Sequence, residues 1–344
     1  MPRDPFRNFT TYKIDPLTEV RNAGIVTNGQ VYWVSSVSDS DHRTRTEDLG
    51  NSEVKLTLQS AMDATRNDRN DYVLVIPTDG GTVRNLGTAF DVNKSRTHVL
   101  GVGAKPGYQT SSGLTFRGFV VATGNDTELV MVTGAGVEMG GLKFLGTSGT
   151  HDLGTVTATM RVGTASSGTP HDLWLHDMTI ENTNAAAAGG TSPVLVVSGD
   201  VGIGISGLRV ERSWIGNRLW APTPLVNYVG GTAGPSRGRF EDCTFVIDAQ
   251  ATTDRFIAMG TGETEYTVIK NCDFINVEAG TLPASAVTGA ILVDNPLLLR
   301  NNSYINVTAA GTDTEAFKSP AYSGTASAIT DVGIGIGTSA IIPA

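Results

Sequence analysis

Six stretches of this chain repeat one short pattern: two inward-type residues two apart, a polar or aromatic residue between them, and often an Asn two positions on. They read Leu142-Lys143-Phe144, Met178-Thr179-Ile180, Ser213-Trp214-Ile215, Cys243-Thr244-Phe245, Cys272-Asp273-Phe274 and Asn302-Ser303-Tyr304. The anchors Phe144, Ile180, Ile215, Phe245, Phe274 and Tyr304 follow one another at 36, 35, 30, 29 and 30 residues. A period this steady indicates one structural unit copied along an axis, which restricts the chain to repeat architectures.

A second apolar run ending in glycine recurs between the anchors. It closes at Gly134, Gly163, Gly199, Gly230 and Gly260, spaced 29, 36, 31 and 30 residues apart. Each unit therefore holds at least two strands and their turns, with loops of varying length. No helix fits inside a unit, so leucine-rich and βαβ repeats are excluded and a β-solenoid remains.

Composition agrees with an all-β chain. Of 344 residues, 40% are hydrophobic and only 17% charged, and 41 are glycine, so Thr, Ser, Asn and Gly must cover much of the surface. The net charge is −9 with no long basic run, which argues against nucleic acid as a partner. No stretch of about 18 apolar residues is present, so no membrane-spanning helix is expected. Met1 to Phe9 lacks the apolar core of a signal peptide. Two cysteines provide no disulfide framework.

Residues 1–50 read as an N-terminal arm and lead-in strand. Phe6, Phe9 and Tyr12 lie within seven residues of one another, more aromatic surface than a solvated tail needs, and mark a docking arm. A strand is expected at Val31–Val34 and a polar loop over Ser36–Ser52. The one convincing helix runs over residues 56–66, where Leu58, Ala61, Met62 and Thr65 share a face. It precedes the apolar strand Tyr72–Ile76, stopped by Pro77. An amphipathic helix there is a physical way to close the open end of a stack of coils. Residues 51–310 would form the stack, and 311–344 a C-terminal tail or cap. In that tail Ile334 and Ile336 alternate with glycine, which suits a strand laid on the last coil or on a neighbour.

Stacked coils place equivalent residues about 4.8 Å apart, so columns can be read from the sequence. Two residues after the anchors the column is Asn182, Asn217, Ile247, Asn276 and Asn306, an expected ladder of amide-to-amide hydrogen bonds at a tight bend. Two residues before, the inward column is Leu142, Met178, Ser213, Cys243, Cys272 and Asn302. Its two cysteines are expected to remain buried thiols, because same-direction side chains seldom reach disulfide torsions. Three and four residues before lie Asp177, Arg212, Asp242, Asn271, Asn301 and His176, Glu211, Glu241, Lys270, Arg300, read as solvated outward faces with compensating charge.

Chemistry on such a shaft would need paired carboxylates. Asp177, Glu211 and Asp242 are the candidates for polysaccharide cleavage, and a structural charge ladder is their plainer role. His171-Asp172 and His176-Asp177 do not converge if five residues of strand separate them, so no metal site is expected. No cofactor motif is present: the run Gly202–Gly207 lacks the lysine of a phosphate loop. Trp214 and Trp220 are read as exposed aromatics able to stack on a sugar or anchor a protein contact, unless a loop covers them.

The cap-helix segment Leu56–Pro77, the strand Thr97–Gly103 and the six anchor coils resemble the pectate-lyase-like, right-handed parallel β-helix superfamily. More narrowly, Gly29–Asp41 leading into the cap helix and Val73–Pro77 resembles the opening of β-helix proteins in tailed-phage particles, which serve as head decoration or tail proteins. The superfamily's lyases use calcium-binding aspartates and a basic residue on one outer sheet. That constellation does not map here, because Arg212 and Lys270 read as unflanked by a carboxylate cluster. The expectation is thus a single-stranded right-handed parallel β-helix of seven or eight coils with an N-terminal capping helix. It would be a non-enzymatic bacteriophage structural protein made in the host cytoplasm and placed on the capsid surface. Its partners would be the major capsid protein or other virion proteins, and further copies of itself in a homo-oligomer. The alternative is a tail spike that binds or depolymerises host surface carbohydrate.

Overall fold

Runs of two to five β-branched, aromatic and long apolar residues form the strands, and nearly every one pairs in parallel with the equivalent strand of the next coil. The computed structural model describes residues 29–35, 54–77, 84–86, 89–102, 115–118, 128–146, 158–163, 170–182, 193–198, 205–216, 224–229, 233–259, 263–265, 267–278, 280–284, 286–288 and 297–308. The docking residues Phe6, Phe9, Tyr12, Ile334 and Ile336 lie outside these, as do Asn217, Trp220 and the side chain of Asn182.

The described strands fall into three long parallel sheets of ten, eight and seven strands, with a two-stranded pair (Ala233–Ser236 and Glu263–Glu265) beside them. Each coil gives one strand to each long sheet, beginning with Asp71–Val75, Arg84–Leu86 and Phe90–Val92. Seven coils supply all three strands, and an eighth supplies Leu297–Arg300 and Ser303–Ile305. This is a parallel β-helix, wound in the right-handed sense of parallel crossover connections. The sequence anchors stack in register in the eight-stranded sheet, in the order Phe144, Ile180, Ile215, Phe245, Phe274, Tyr304.

Seven of the coils hold three strands, where two recurring runs were legible. The third is short (Trp174–His176, Arg209–Glu211 and Arg239–Glu241 are examples) and builds the ten-stranded sheet. It is cut off from the anchor strand by a residue in the left-handed region. Those residues are Gly141, Asp177, Arg212, Asp242, Asn271 and Asn301, with φ between 44° and 67°. The column read as an outward strand face is thus a row of corners, which explains its Asp, Asn and Gly content. Each corner N–H reaches the next coil: Asp177 donates to the Glu211 carbonyl, Arg212 to Glu241, Asp242 to Lys270 and Asn271 to Arg300, at 3.0–3.1 Å. A second row of left-handed corners, Gly136, Asp172, Gly207 and Arg237, opens the same strands.

The core is the inside of the tube. Val73, Val99, Met139, Leu175, Val210, Phe240, Ile269 and Leu299 line the ten-stranded side, each at most 3% exposed. Phe245, Phe274 and Tyr304 stack face to face along the eight-stranded side, with centroids 4.9 and 5.3 Å apart. The inward column Leu142, Met178, Ser213, Cys243, Cys272 and Asn302 is buried throughout, and both cysteines are free thiols.

The helix, α1, spans Leu58–Ala64, shorter at both ends than residues 56–66. Thr57 caps it: its hydroxyl accepts from the Ser60 N–H, and the Ser60 hydroxyl accepts from the Thr57 N–H. Leu56 therefore stays outside, 48% exposed. Leu58, Ala61 and Met62 enter the core beside Tyr32, Val34, Val73, Val75 and Phe90. The strand Val31–Val34 adds to the ten-stranded sheet between Val54–Lys55 and Asp71–Val75, and the Tyr32 hydroxyl donates to the Ala64 carbonyl at 2.8 Å.

Candidate functional site

Chemistry-bearing side chains gather on the outer face of the ten-stranded sheet, where register places two columns side by side. One runs Tyr72, His98, Glu138, Trp174, Arg209, Arg239. The other runs Leu74, Leu100, Gly140, His176, Glu211, Glu241, Lys270, Arg300. Side chains point outward here because the alternate residues of the same strands face the core.

A hydrogen-bonded chain crosses these coils. The His98 ring stacks on Tyr72 at 4.3 Å, and its Nδ1 lies 2.5 Å from Glu138 Oε2. Glu138 Oε1 lies 3.0 Å from His176 Nε2, and His176 Nδ1 lies 2.7 Å from Asp177 Oδ2. Arg212 donates to both oxygens of Asp177, at 2.9 and 2.8 Å. Glu211, only 4% exposed, accepts from Arg212 and Arg209, and from the Trp174 indole N–H at 3.1 Å. Further along, Arg239 and Lys270 both grip Glu241.

Electrostatics follow from this pairing. Burial works against ionisation of Glu138, but hydrogen bonds from His176 and His98 outweigh it and hold the carboxyl down at about 2. Burial likewise opposes the charged forms of His176 and Asp177. Carboxylates on both ring nitrogens nevertheless raise His176, and Arg212 with His176 lowers Asp177. Hydrogen bonding from Lys270 lowers Glu241. In the protonated form that this shift favours, His176 donates from both nitrogens and keeps no free lone pair for a base or a ligand. These groups run in line, and Asp177 Oδ2 is shared between His176 Nδ1 and Arg212 Nη2. Among the described residues no three His, Cys, Asp or Glu side chains are arranged to hold a metal.

Asp177 and Glu211, proposed from sequence as catalytic carboxylates, lie in this network, while Asp242 sits at the next corner but one from Asp177 and accepts from the Asn271 amide at 3.1 Å. Contrary to the sequence reading, Arg212 is flanked by two carboxylates and Glu211 is buried rather than solvated, whereas Lys270 pairs with the single carboxylate of Glu241. Trp214 is half-buried, its indole N–H donating to the Gly216 carbonyl at 2.8 Å, so it is not a free platform. The asparagine ladder differs as well. Asn276 and Asn306 are neighbours, but each amide donates to the other residue's backbone carbonyl, at 3.1 and 3.0 Å, rather than amide to amide.

Sequence reasoning missed His98, Glu138, Trp174 and Arg209. His98 and Glu138 are 40 residues apart and Glu138 and His176 are 38, outside the thirty-residue spacing that aligned the later columns. No protein-family profile matches the chain, and no curated protein matches it. Two solved structures are similar in fold. One is a pectin methylesterase from Aspergillus niger, at 12% identity and TM-score 0.47, covering 84% of this chain and 86% of that one. The other is a pectin methylesterase variant in complex with a hexasaccharide, at 11% identity and TM-score 0.39, covering 83% of this chain and 80% of that one.

Proposed function

We propose that this chain is a non-enzymatic structural protein of a bacteriophage particle, seated on the capsid surface and acting by binding alone. The observation that carries the non-enzymatic part is the state of the carboxylates on the outer face. Glycan hydrolysis needs one carboxyl with a raised pKa as acid and a second as base or nucleophile. On this face Glu138, Asp177 and Glu241 are shifted the other way by cations that hold them. Glu181, which burial raises, lies on the eight-stranded sheet with Lys143 2.9 Å away. A carboxylate held by a cation on each side stiffens a shaft and is poorly placed to give or take a proton.

The virion placement draws on the resemblance of residues 29–77 to phage β-helix proteins. Within that stretch, Val31–Val34 is built into the ten-stranded sheet beside α1. In this reading α1 closes the first coil, and eight coils at about 4.8 Å give a rod roughly 35–40 Å long. Its partners are shell proteins, with the arm at Phe6, Phe9 and Tyr12 or the tail at Ile334 and Ile336 making contact.

Two measurements test the reading. Purified protein incubated with host capsular or lipopolysaccharide glycan should release no reducing ends. Release that disappears in Asp177→Asn would establish the depolymerising tail spike instead. Immunogold electron microscopy of intact particles should label the head surface. Label confined to the tail, or absent, overturns the capsid placement.

A further inference from the structure

The last four coils carry a layer of cations on the outside of the ten-stranded sheet, although the chain has a net charge of −9. Arg209, Arg212 and Arg239 have side chains 48%, 43% and 41% exposed, whereas Glu211 and Glu241 beneath them are 5% and 15% exposed. The carboxylates form the floor and the guanidinium groups meet the water. Arg237 and Arg300 are also exposed and have no ion-pair partner among the described residues, and Lys270 lies between their coils. Asp242 is the exposed anion in this strip. The first coils of the same face hold Tyr72, His98 and Glu138 in place of arginine.

The same coils present the opposite character around the tube. Just past the ends of the strands Thr244–Ile247 and Asp273–Asn276 of the eight-stranded sheet, Asp248 and Glu278 lie close enough for their charges to interact, and Asp273 is exposed at the start of the second strand. Burial and the Glu278 charge hold Asp248 above its ordinary value, the mark of an anion short of a cation. Val277, next to Glu278 in the chain, and Ile305, paired with Ile275 on the same sheet, are 37% and 38% exposed. An apolar centre with a charged rim is the ordinary make-up of a protein contact.

We propose that these two surfaces bind each other between copies of the chain, the arginine strip of one against the acid-rimmed corner of the next. The contact is heterologous, because strip and corner lie on different sides of the tube and strip against strip would repel. Such contacts close into a ring or run on as a filament. The inference stands apart from the virion assignment, since it rests only on charge and exposure in this chain.

The test is sedimentation equilibrium of the full chain. Wild type should self-associate at low salt, and 0.5 M NaCl should raise its dissociation constant at least about tenfold. Arg237→Glu with Arg300→Glu, and separately Asp248→Lys with Glu278→Lys, should each weaken association by a similar factor. Circular dichroism and melting temperature verify that both double variants fold. Mixing the two should restore association, because each then supplies what the other lacks. A wild type that stays monomeric at low salt, variants that associate as wild type does, or a mixture that stays apart would overturn the proposal.

Discussion

Gly140 lies one coil beneath the imidazole of His176, so close that a Cβ built on it would fall 2.3 Å from the ring's Cε1. The ring cannot swing aside cheaply, because both nitrogens are held by carboxylates. Gly140→Ala should therefore displace His176 and break its bonds to Glu138 and Asp177. The expected loss is about 1–3 kcal/mol, the cost of leaving such partners unmet. Urea denaturation measures it. If the ring is the obstacle, Gly140→Ala should cost much less in a His176→Ala background.

The same network sets a pH optimum for stability. His176 has a folded pKa raised above 6.5, so its contribution is complete below that value and is lost as pH rises through the higher folded value. Glu138 is depressed from 4.5 to about 2, so its contribution is complete above 4.5 and is lost as pH falls toward 2. Asp177 shifts in the same direction as Glu138. Urea midpoints should be highest between about pH 4.5 and 6.5 and fall on both sides. His176→Gln should flatten the alkaline limb and leave much of the acid limb. An unchanged alkaline limb would show that His176 is not its source.

Arg212 holds an unusual place for an arginine, with φ 44°, at a corner where its neighbours in the row are Asp, Asn or Gly. Its bonds to Asp177 and Glu211 offset the backbone cost. Arg212→Asn suits the corner better but strips two carboxylates of a cation. We expect the electrostatic loss to prevail, by about 1–2 kcal/mol for a half-exposed group, and Arg212→Asn in an Asp177→Asn background to be close to neutral. A double-mutant cycle by thermal denaturation reads the coupling.

Phe274 sits between Phe245 and Tyr304 and meets the edge of Phe256 at 5.4 Å. Phe274→Ala should cost about 3–5 kcal/mol and Phe274→Leu distinctly less, as the cavity shrinks. Chemical denaturation of the two variants against wild type supplies the comparison.

Cys243 and Cys272 occupy adjacent rungs of the inward column, and burial pushes the Cys272 thiol up. Both should resist a thiol reagent in the native protein and react together on unfolding. Fast labelling of either one under native conditions would show that the column opens locally.

The stacking was legible in the sequence because the anchors repeat large apolar residues at a nearly regular spacing, from Phe144 to Tyr304. The short strands of the ten-stranded sheet were hidden. Trp174–His176 joins its anchor strand Thr179–Asn182 through only two residues, Asp177 and Met178, and the left-handed turn at Asp177 separates the two. The evidence was nonetheless present in the row itself: Gly141, Asp177, Asp242, Asn271 and Asn301 are the residue types that tolerate such a turn, and only Arg212 departs. The charged network was harder to see, because His98, Glu138 and His176 belong to coils of unequal length. Only the folded coils bring them into register.

The paired corners have one further consequence. They stand five residues apart in each of four coils, at Gly136 and Gly141, Asp172 and Asp177, Gly207 and Arg212, and Arg237 and Asp242. The coils themselves differ in length, so every added or missing residue is absorbed on the other two sides of the tube. One wall of the molecule thus keeps a constant ruling while the others can carry insertions, and grafted loops belong there if the arginine-bearing wall is to keep its shape.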